Sequence, residues 1–125
     1  MKFQVSMHIE AGATTDETKY LAFDERYELK GVKLINNAGI SAHASNYSIF
    51  KVFASNGSSE AFEWSTQNSA EGALSAGVDV SLTDKNTGLT IYDASTVIKV
   101  TKTHAGSGEA VDAMLLFAFE PARSY

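Results

Sequence analysis

The most constraining feature of this sequence is an unbroken apolar run from Ala113 to Phe119, which ends at Glu120 and Pro121. A short apolar run bounded by turn residues fits either a strand buried on both faces or a fragment of a buried helix. The run has the length of a strand, and Pro121 cannot donate a hydrogen bond to a continuing ladder. We therefore predict a strand that is buried on both faces and around which the other segments are arranged.

Most of the remaining chain consists of short segments in which apolar and polar residues alternate, separated by turns rich in Gly, Asn and Asp. The alternation in residues 3–9 is typical of a half-buried strand. Asn56-Gly57 favours a tight hairpin turn, and the turn at residues 84–88 favours a second hairpin. We predict about eight short strands, at residues 3–9, 27–35, 47–54, 60–66, 78–83, 89–91, 96–103 and 113–119.

One segment allows two interpretations. Thr14 and Glu17 have the spacing of a helix capping box and Gly31 could end a helix, so residues 17–30 fit a helix. The preferred interpretation makes residues 27–35 a strand. Its apolar residues change phase at Gly31, where a β-bulge is easiest to form.

The number of strands, the single proline and the lack of a preferred helix indicate an all-β protein with an antiparallel sandwich or barrel. A jelly-roll-like β-sandwich is favoured because it protects most strand edges. The length of 125 residues, 44% of them hydrophobic, fits a single domain spanning residues 1–125. The chain contains no cysteine, which excludes disulfides and thiolate metal ligands.

Charge and hydropathy limit which classes of partner we expect. The net charge is −5 and the ten basic residues are scattered, so we expect no nucleic-acid partner, because phosphate binding depends on clustered Lys and Arg. The first residues form no apolar signal core, and no run is long enough to span a bilayer, so we expect no membrane association. We expect the protein to stay in the cytoplasm where it is made, or to leave by assembly or lysis.

The histidines give no indication of a metal or cofactor. His8, His43 and His104 are separated by long intervals, and no carboxylates stand near them at the spacing of metal ligands. Solvated surface histidines are the simpler interpretation. We predict no metal site and no cofactor.

The sequence also lacks the motifs of common enzymes. Residues 84–88 resemble the start of a calcium loop, but the glycine comes early and no glutamate closes the site, so a hairpin turn fits better. Residues 106–108 lack the third glycine of a phosphate or dinucleotide loop. Glu60 and Glu63 lie on opposite faces of the predicted strand and do not form a glycosidase pair by themselves. We expect no enzymatic activity, with an undetected hydrolase or isomerase as the alternative of another class.

The aromatic residues allow a second kind of function. Phe62 and Trp64 share one face of a predicted strand. They could form a platform on which a sugar ring stacks, but two aromatic residues in the same phase are more often part of a core. The core interpretation is preferred.

Several stretches between Tyr20 and Glu120 occur in a suggestive order. They are Tyr27-Glu28-Leu29-Lys30-Gly31-Val32-Lys33-Leu34-Ile35, Ala44-Ser45-Asn46-Tyr47, the hairpin through Asn56-Gly57, Ala76-Gly77-Val78-Asp79-Val80 and Ala105-Gly106-Ser107-Gly108. In spacing and composition this part of the chain resembles the small head decoration, or cement, proteins of tailed bacteriophages. The resemblance implies a β-sandwich without enzymatic activity that binds the major capsid protein on the outer surface of the assembled head. It also implies a homo-oligomer, a dimer or trimer, located on the virion capsid. The alternative is a carbohydrate-binding or adhesin module of a phage tail fibre.

Loops and termini are the expected contact surfaces, because the inner faces of the sheets must form the core. These are the loops at residues 11–18 and 67–77 and the C-terminal residues 122–125, which include the interface-prone Arg and Tyr types. The candidate interface residues are Thr14, Thr15, Tyr20, Gln67, Arg123 and Tyr125.

Overall fold

The computed structural model describes residues 2–68 and 71–122, and this part of the chain contains ten β-strands and no helix. Because this part of the chain forms strands and no helix, the all-β prediction is confirmed. The strands are β1 (Phe3–Ala11), β2 (Glu17–Leu21), β3 (Tyr27–Asn36), β4 (Tyr47–Phe53), β5 (Glu60–Ser65), β6 (Asp79–Ser81), β7 (Thr83–Asp84), β8 (Ile91–Tyr92), β9 (Ile98–Ala105) and β10 (Val111–Pro121).

The strands form two antiparallel sheets that pack as a sandwich. In the first sheet the order is β1-β10-β3-β6, with β8 also pairing with β3. In the second sheet the order is β2-β9-β4-β5-β7. Strands β1 to β4 alternate between the two sheets. The late strands β10 and β9 pair beside β1 and β2. This is the strand order of a jelly roll. The predicted antiparallel sandwich is therefore confirmed.

The final apolar run forms β10, the central strand of the first sheet, but only one of its faces is fully buried. Leu115, Phe117 and Phe119 point into the core and are at most 1% exposed. On the opposite face Met114 is 37% exposed and Leu116 is partly exposed. The prediction of burial on both faces was wrong because each sheet of a two-layer sandwich is covered on one face only.

The bulge predicted in β3 is present one residue before Gly31. Gly31 pairs with Ala118 and Leu29 pairs with Phe119, so Lys30 is the extra residue. The bulge lets both Leu29 and Val32 face the core despite their odd spacing. The alternative of a helix at residues 17–30 was wrong, because this segment contributes to the strands β2 and β3.

The hairpin through Asn56-Gly57 joins β4 and β5 as predicted, whereas the second predicted hairpin does not form. β6 and β8 both pair with β3, at opposite ends of that strand. The chain crosses from the first sheet to the second at the buried Leu82, which lies between β6 and β7. β7 then pairs with β5. Alternating polarity predicted the strands, but it carries no information about which strand each of them pairs with.

Four aromatic rings close one end of the sandwich. Phe3, Phe23, Tyr27 and Phe119 have ring centroids 4.8 to 6.4 Å apart, mostly in edge-to-face arrangements. The opposite end carries loops rich in Ala, Gly, Ser and Asn.

Candidate functional site

Four loops meet at the end of the sandwich opposite the aromatic rings. They connect β1 to β2 (residues 12–16), β3 to β4 (37–46), β5 to β6 (66–78, of which 69 and 70 are not described) and β9 to β10 (106–110). We call this surface the four-loop end. It unites the two loops that the sequence singled out, at 11–18 and 67–77.

A buried lysine fixes the loop between β1 and β2. Lys102 lies on the core face of β9, in phase with Ile98 and Val100, and its side chain is fully buried. Its ammonium donates to the carbonyl oxygens of Gly12 at 2.9 Å, Ala13 at 3.1 Å and Thr15 at 2.9 Å. All three donors of the ammonium are thus satisfied. Desolvation lowers the pKa of Lys102, and the nearby Asp16 acts in the opposite direction.

The loop between β9 and β10 is packed tightly against its neighbours. Gly106 and Gly108 both have φ near +61°, and a Cβ at Gly108 would lie 2.1 Å from the carbonyl oxygen of Ala13. The amide of Ser107 donates to Asn46 Oδ1 at 2.8 Å. The glycines are therefore required for the left-handed backbone and for the close approach to Ala13, and they form a fixed turn.

Hydrogen bonds also join the other two loops. The amide of His43 donates to the carbonyl oxygen of Thr66 at 3.2 Å, and Gln67 Nε2 donates to the carbonyl oxygen of Ala44 at 3.1 Å. An isolated bridge between Ile40 and Leu74 adds a backbone pairing. The four-loop end is consequently one connected surface with a defined shape.

The predicted interface residues divide between different surfaces. Thr14 and Thr15 are exposed on the four-loop end, and Gln67 is partly exposed there. Tyr20 is 59% exposed but lies on the outer face of β2, three residues along the strand from Glu17 and thus about 10 Å from the loops.

The C-terminal tail starts at the other end of the sandwich. The amide of Ala122 donates to the carbonyl oxygen of Arg26 at 3.3 Å, at the end that carries the aromatic rings. Arg123 and Tyr125 themselves lie outside the described residues. Ala122, the last described residue, therefore lies at the end opposite Thr14, Thr15 and Gln67.

The histidines occupy three different environments. His43 Nδ1 accepts the amides of Ser45 and Asn46, which stabilises the loop between β3 and β4. His104 Nδ1 lies 2.6 Å from Asp16 Oδ1. His8 Nε2 lies 2.5 Å from Asp112 Oδ1, across the pairing of β1 with β10, which spacing along the chain did not reveal.

Trp64 and Phe62 face the core, in agreement with the preferred interpretation. Phe62 is 3% exposed, and Trp64 packs against the core while its Nε1 donates to the carbonyl oxygen of Gly72 at 3.3 Å.

Residues 84–88 form a turn in which Asp84 Oδ1 accepts the amide of Asn86 at 2.8 Å. The side chain that a calcium loop would direct at an ion is thus used to shape the turn.

One carboxyl group has a strongly shifted pKa. Burial raises the pKa of Glu63 to about 7, and a hydrogen bond with the Glu71 carboxyl adds to the increase. Lys85, whose Nζ lies 3.7 Å from Glu63 Oε2, opposes the shift. Glu63 belongs to β5 of the second sheet, and Glu71 belongs to the loop between β5 and β6.

Comparisons with known protein families, with characterised proteins and with solved structures find no match to this chain. In the described part of the chain no helix has the length and apolar character needed to span a membrane.

Proposed function

We propose that this protein is a non-enzymatic decoration protein that binds the major capsid protein on the outer surface of an assembled phage head and stabilises the lattice. The resemblance between residues 20 and 120 and phage decoration proteins is the reason for naming this partner. The observation that carries the proposal is the four-loop end, where loops from both sheets are held together by hydrogen bonds.

A preformed loop surface suits attachment to a rigid partner. Loops that are already ordered lose little conformational entropy on binding, so more of the contact energy appears as affinity. The ammonium of Lys102 and the turn around Gly108 provide this order for the loop that carries Thr14 and Thr15. We propose these two threonines and Gln67 as part of the capsid contact.

A single contact of this size would be weak, and repetition would compensate for it. Several copies joined in a dimer or trimer and bound to neighbouring capsomers could gain about a hundredfold in avidity if the lattice spacing fits. The proposal therefore includes a homo-oligomer and predicts a preference for expanded capsids over free capsid subunits.

The tail-fibre alternative receives less support. A sugar platform needs exposed aromatic rings, whereas Phe62 is buried and Trp64 packs against the core. The exposed Tyr20 is a single ring on the edge strand of its sheet.

The experiment is co-sedimentation of the purified chain with expanded capsids that lack it. Thr14→Arg places a bulky charge on the four-loop end, and Thr18→Arg places the same charge on the outer face of β2. Because both variants change the net charge equally, long-range attraction cancels in the comparison. We expect Thr14→Arg to weaken binding at least about tenfold, which corresponds to about 1.4 kcal/mol, and Thr18→Arg to bind like the wild type.

Two results would contradict the proposal. Equal affinity for free capsid subunits and for expanded capsids would remove the argument from lattice avidity. Loss of binding in Thr18→Arg with normal binding in Thr14→Arg would move the contact from the four-loop end to the face of β2.

A further inference from the structure

Two carboxylates and a histidine meet on the outer face of the first sheet, beside the four-loop end. Glu10 of β1 lies directly opposite Asp112 of β10, and His8 follows on the same face of β1 at a diagonal position. One ligand-capable atom from each of these three side chains lies within 4.8 Å of the other two. Antiparallel register explains the cluster, because opposite and diagonal residues on one face are within reach of each other.

The local charge of this group favours a cation. Like charges directly opposite each other destabilise a strand pair. In residues 2–68 and 71–122, neither Glu10 nor Asp112 forms an ion pair with a lysine or arginine. The basic group beside them is His8, whose Nε2 lies 2.5 Å from Asp112 Oδ1.

The donor atoms indicate which cation fits. An imidazole nitrogen with two carboxylate oxygens is a ligand set for Zn²⁺, whereas Ca²⁺ and Mg²⁺ prefer oxygen ligands alone. Ligands about 2.1 Å from a tetrahedral zinc ion lie about 3.4 Å from one another. The widest pair of ligand atoms, within 4.8 Å, would therefore have to close by up to about 1.4 Å. His8 Nε2 and Asp112 Oδ1, now 2.5 Å apart, would have to separate by about 0.9 Å. His8 and Glu10 are exposed, and their side chains are free to make that adjustment.

Asp112 is already oriented for this role. Its Oδ2 accepts Asn37 Nδ2 at 3.4 Å, and its carbonyl oxygen accepts the amide of Asn37 at 2.8 Å. This leaves Oδ1 directed toward His8. Hydrogen bonds that orient a ligand in this way are typical of the surroundings of metal sites.

The surface beside the cluster leaves room for further ligands of an ion. An open hollow of about 370 Å³ lies next to His8 and Asp112 and is lined also by Ile35, Asn37 and Met114. Water or a group from another molecule can therefore complete a tetrahedral shell.

We propose that His8 Nε2, the Glu10 carboxylate and Asp112 Oδ1 bind one Zn²⁺ ion per chain, with the remaining coordination position open to solvent. The ion replaces the hydrogen bond between His8 and Asp112 and connects β1 to β10. The proposal does not depend on the capsid function.

The test is isothermal titration of the untagged chain with zinc chloride, together with thermal unfolding in the presence and absence of zinc. We expect one Zn²⁺ per chain and a rise in Tm of at least about 5 °C at a hundredfold excess over the dissociation constant. His8→Gln and Glu10→Gln should each weaken zinc binding at least tenfold. Calcium or magnesium at the same concentration should not compete.

His104→Gln is the matched control. His104 also lies beside a carboxylate, with Nδ1 2.6 Å from Asp16 Oδ1, but among residues 2–68 and 71–122 it is not part of a cluster of three ligands. We expect this variant to bind zinc like the wild type. Circular dichroism of each variant verifies that the sheet structure is intact.

Three results would overturn the proposal. The first is the absence of both binding heat and a zinc-dependent shift in Tm for the wild type. The second is an equal loss of binding in His104→Gln and His8→Gln, which would place the ion elsewhere or indicate nonspecific binding. The third is unchanged zinc affinity in Glu10→Gln, which would leave only a histidine and Asp112 as ligands.

Discussion

The two leucines at the centre of β10 provide a direct measurement of which face of the first sheet is covered. Leu115 is fully buried in the core, whereas its neighbour Leu116 lies on the outer face and is partly exposed. Leu115→Ala and Leu116→Ala delete the same atoms from adjacent positions of one strand. The difference between their effects therefore reports burial and is independent of residue type and of strand propensity.

The expected magnitudes follow from burial. Leu115→Ala loses the transfer free energy of the side chain and leaves a cavity between two sheets, at a cost of about 3 to 5 kcal/mol in the free energy of unfolding. Leu116→Ala opens no enclosed cavity, because its side chain lies on the surface, and should cost about 1 kcal/mol or less. We expect the two variants to differ by at least about 2 kcal/mol.

Urea unfolding followed by tryptophan fluorescence measures both values, since Trp64 is the single tryptophan of the chain and packs against the core. Comparable large costs for the two variants, independent of protein concentration, would refute the reasoning, because they would mean that both faces of β10 are enclosed within one chain. A cost for Leu116→Ala that increases with protein concentration would instead indicate that a second copy covers this face.

Two further predictions concern the second sheet. Because the pKa of Glu63 is raised in the folded state, the protonated side chain stabilises the fold below its ordinary pKa of 4.5. This stabilisation is lost as the pH rises to about 7. Glu63→Gln should therefore match the wild type in Tm at pH 4 and exceed it at pH 8. An equal difference at both values of pH would show that burial does not raise this pKa. Because the indole of Trp64 packs against the core, Trp64→Ala should reduce the free energy of unfolding by about 3 kcal/mol. A reduction of this size should lower Tm by about 10 °C or more. If the wild type bound glycans on an array and a stable Trp64→Ala variant did not, the tail-fibre function would be favoured.

Much of the fold was predictable because the physical signals were local. Alternating polarity identified β1 and β5, composition identified β9, and the phase change near Gly31 indicated the bulge in β3. Asn56-Gly57 indicated its hairpin because Gly57 adopts a φ of +75° and Asn56 Oδ1 accepts the amides of Ser58 and Ser59, which shapes the turn. In each of these cases the information lies within about ten residues of chain.

The errors concern information that is not local. The apolar run of β10 could not show that its outer face lacks a covering layer, since Leu116 differs from Leu115 only in what lies opposite. The sequences of residues 78–83 and 89–91 do not reveal that both segments pair with β3. They therefore do not reveal that no hairpin forms between them. Pairing partners are determined by the whole sandwich, and sequence spacing does not encode them.

The loops of the four-loop end were predicted, whereas the cluster around His8 and the buried Lys102 were missed for the same reason. His8 and Asp112 are 104 positions apart in the chain, and only the pairing of the first and last strands brings them together. Lys102 looked like one of the polar residues of an ordinary strand, because its polar partners are backbone carbonyls and carry no side-chain signature.

Three charged residues whose positions conflict with the fold, Lys102, Glu10 and Asp112, lie near one end of the molecule. On the core face of β9, where packing alone would favour an apolar residue, Lys102 is buried and fixes the loop that carries Thr14 and Thr15. Glu10 and Asp112 face each other near the same end, although like charges disfavour that pairing. The other end is closed by aromatic rings, as an ordinary core would be. Local choices that disagree with the fold are expected mainly where function requires them. This asymmetry supports, independently of the resemblance, the proposal that the capsid contact lies at the four-loop end.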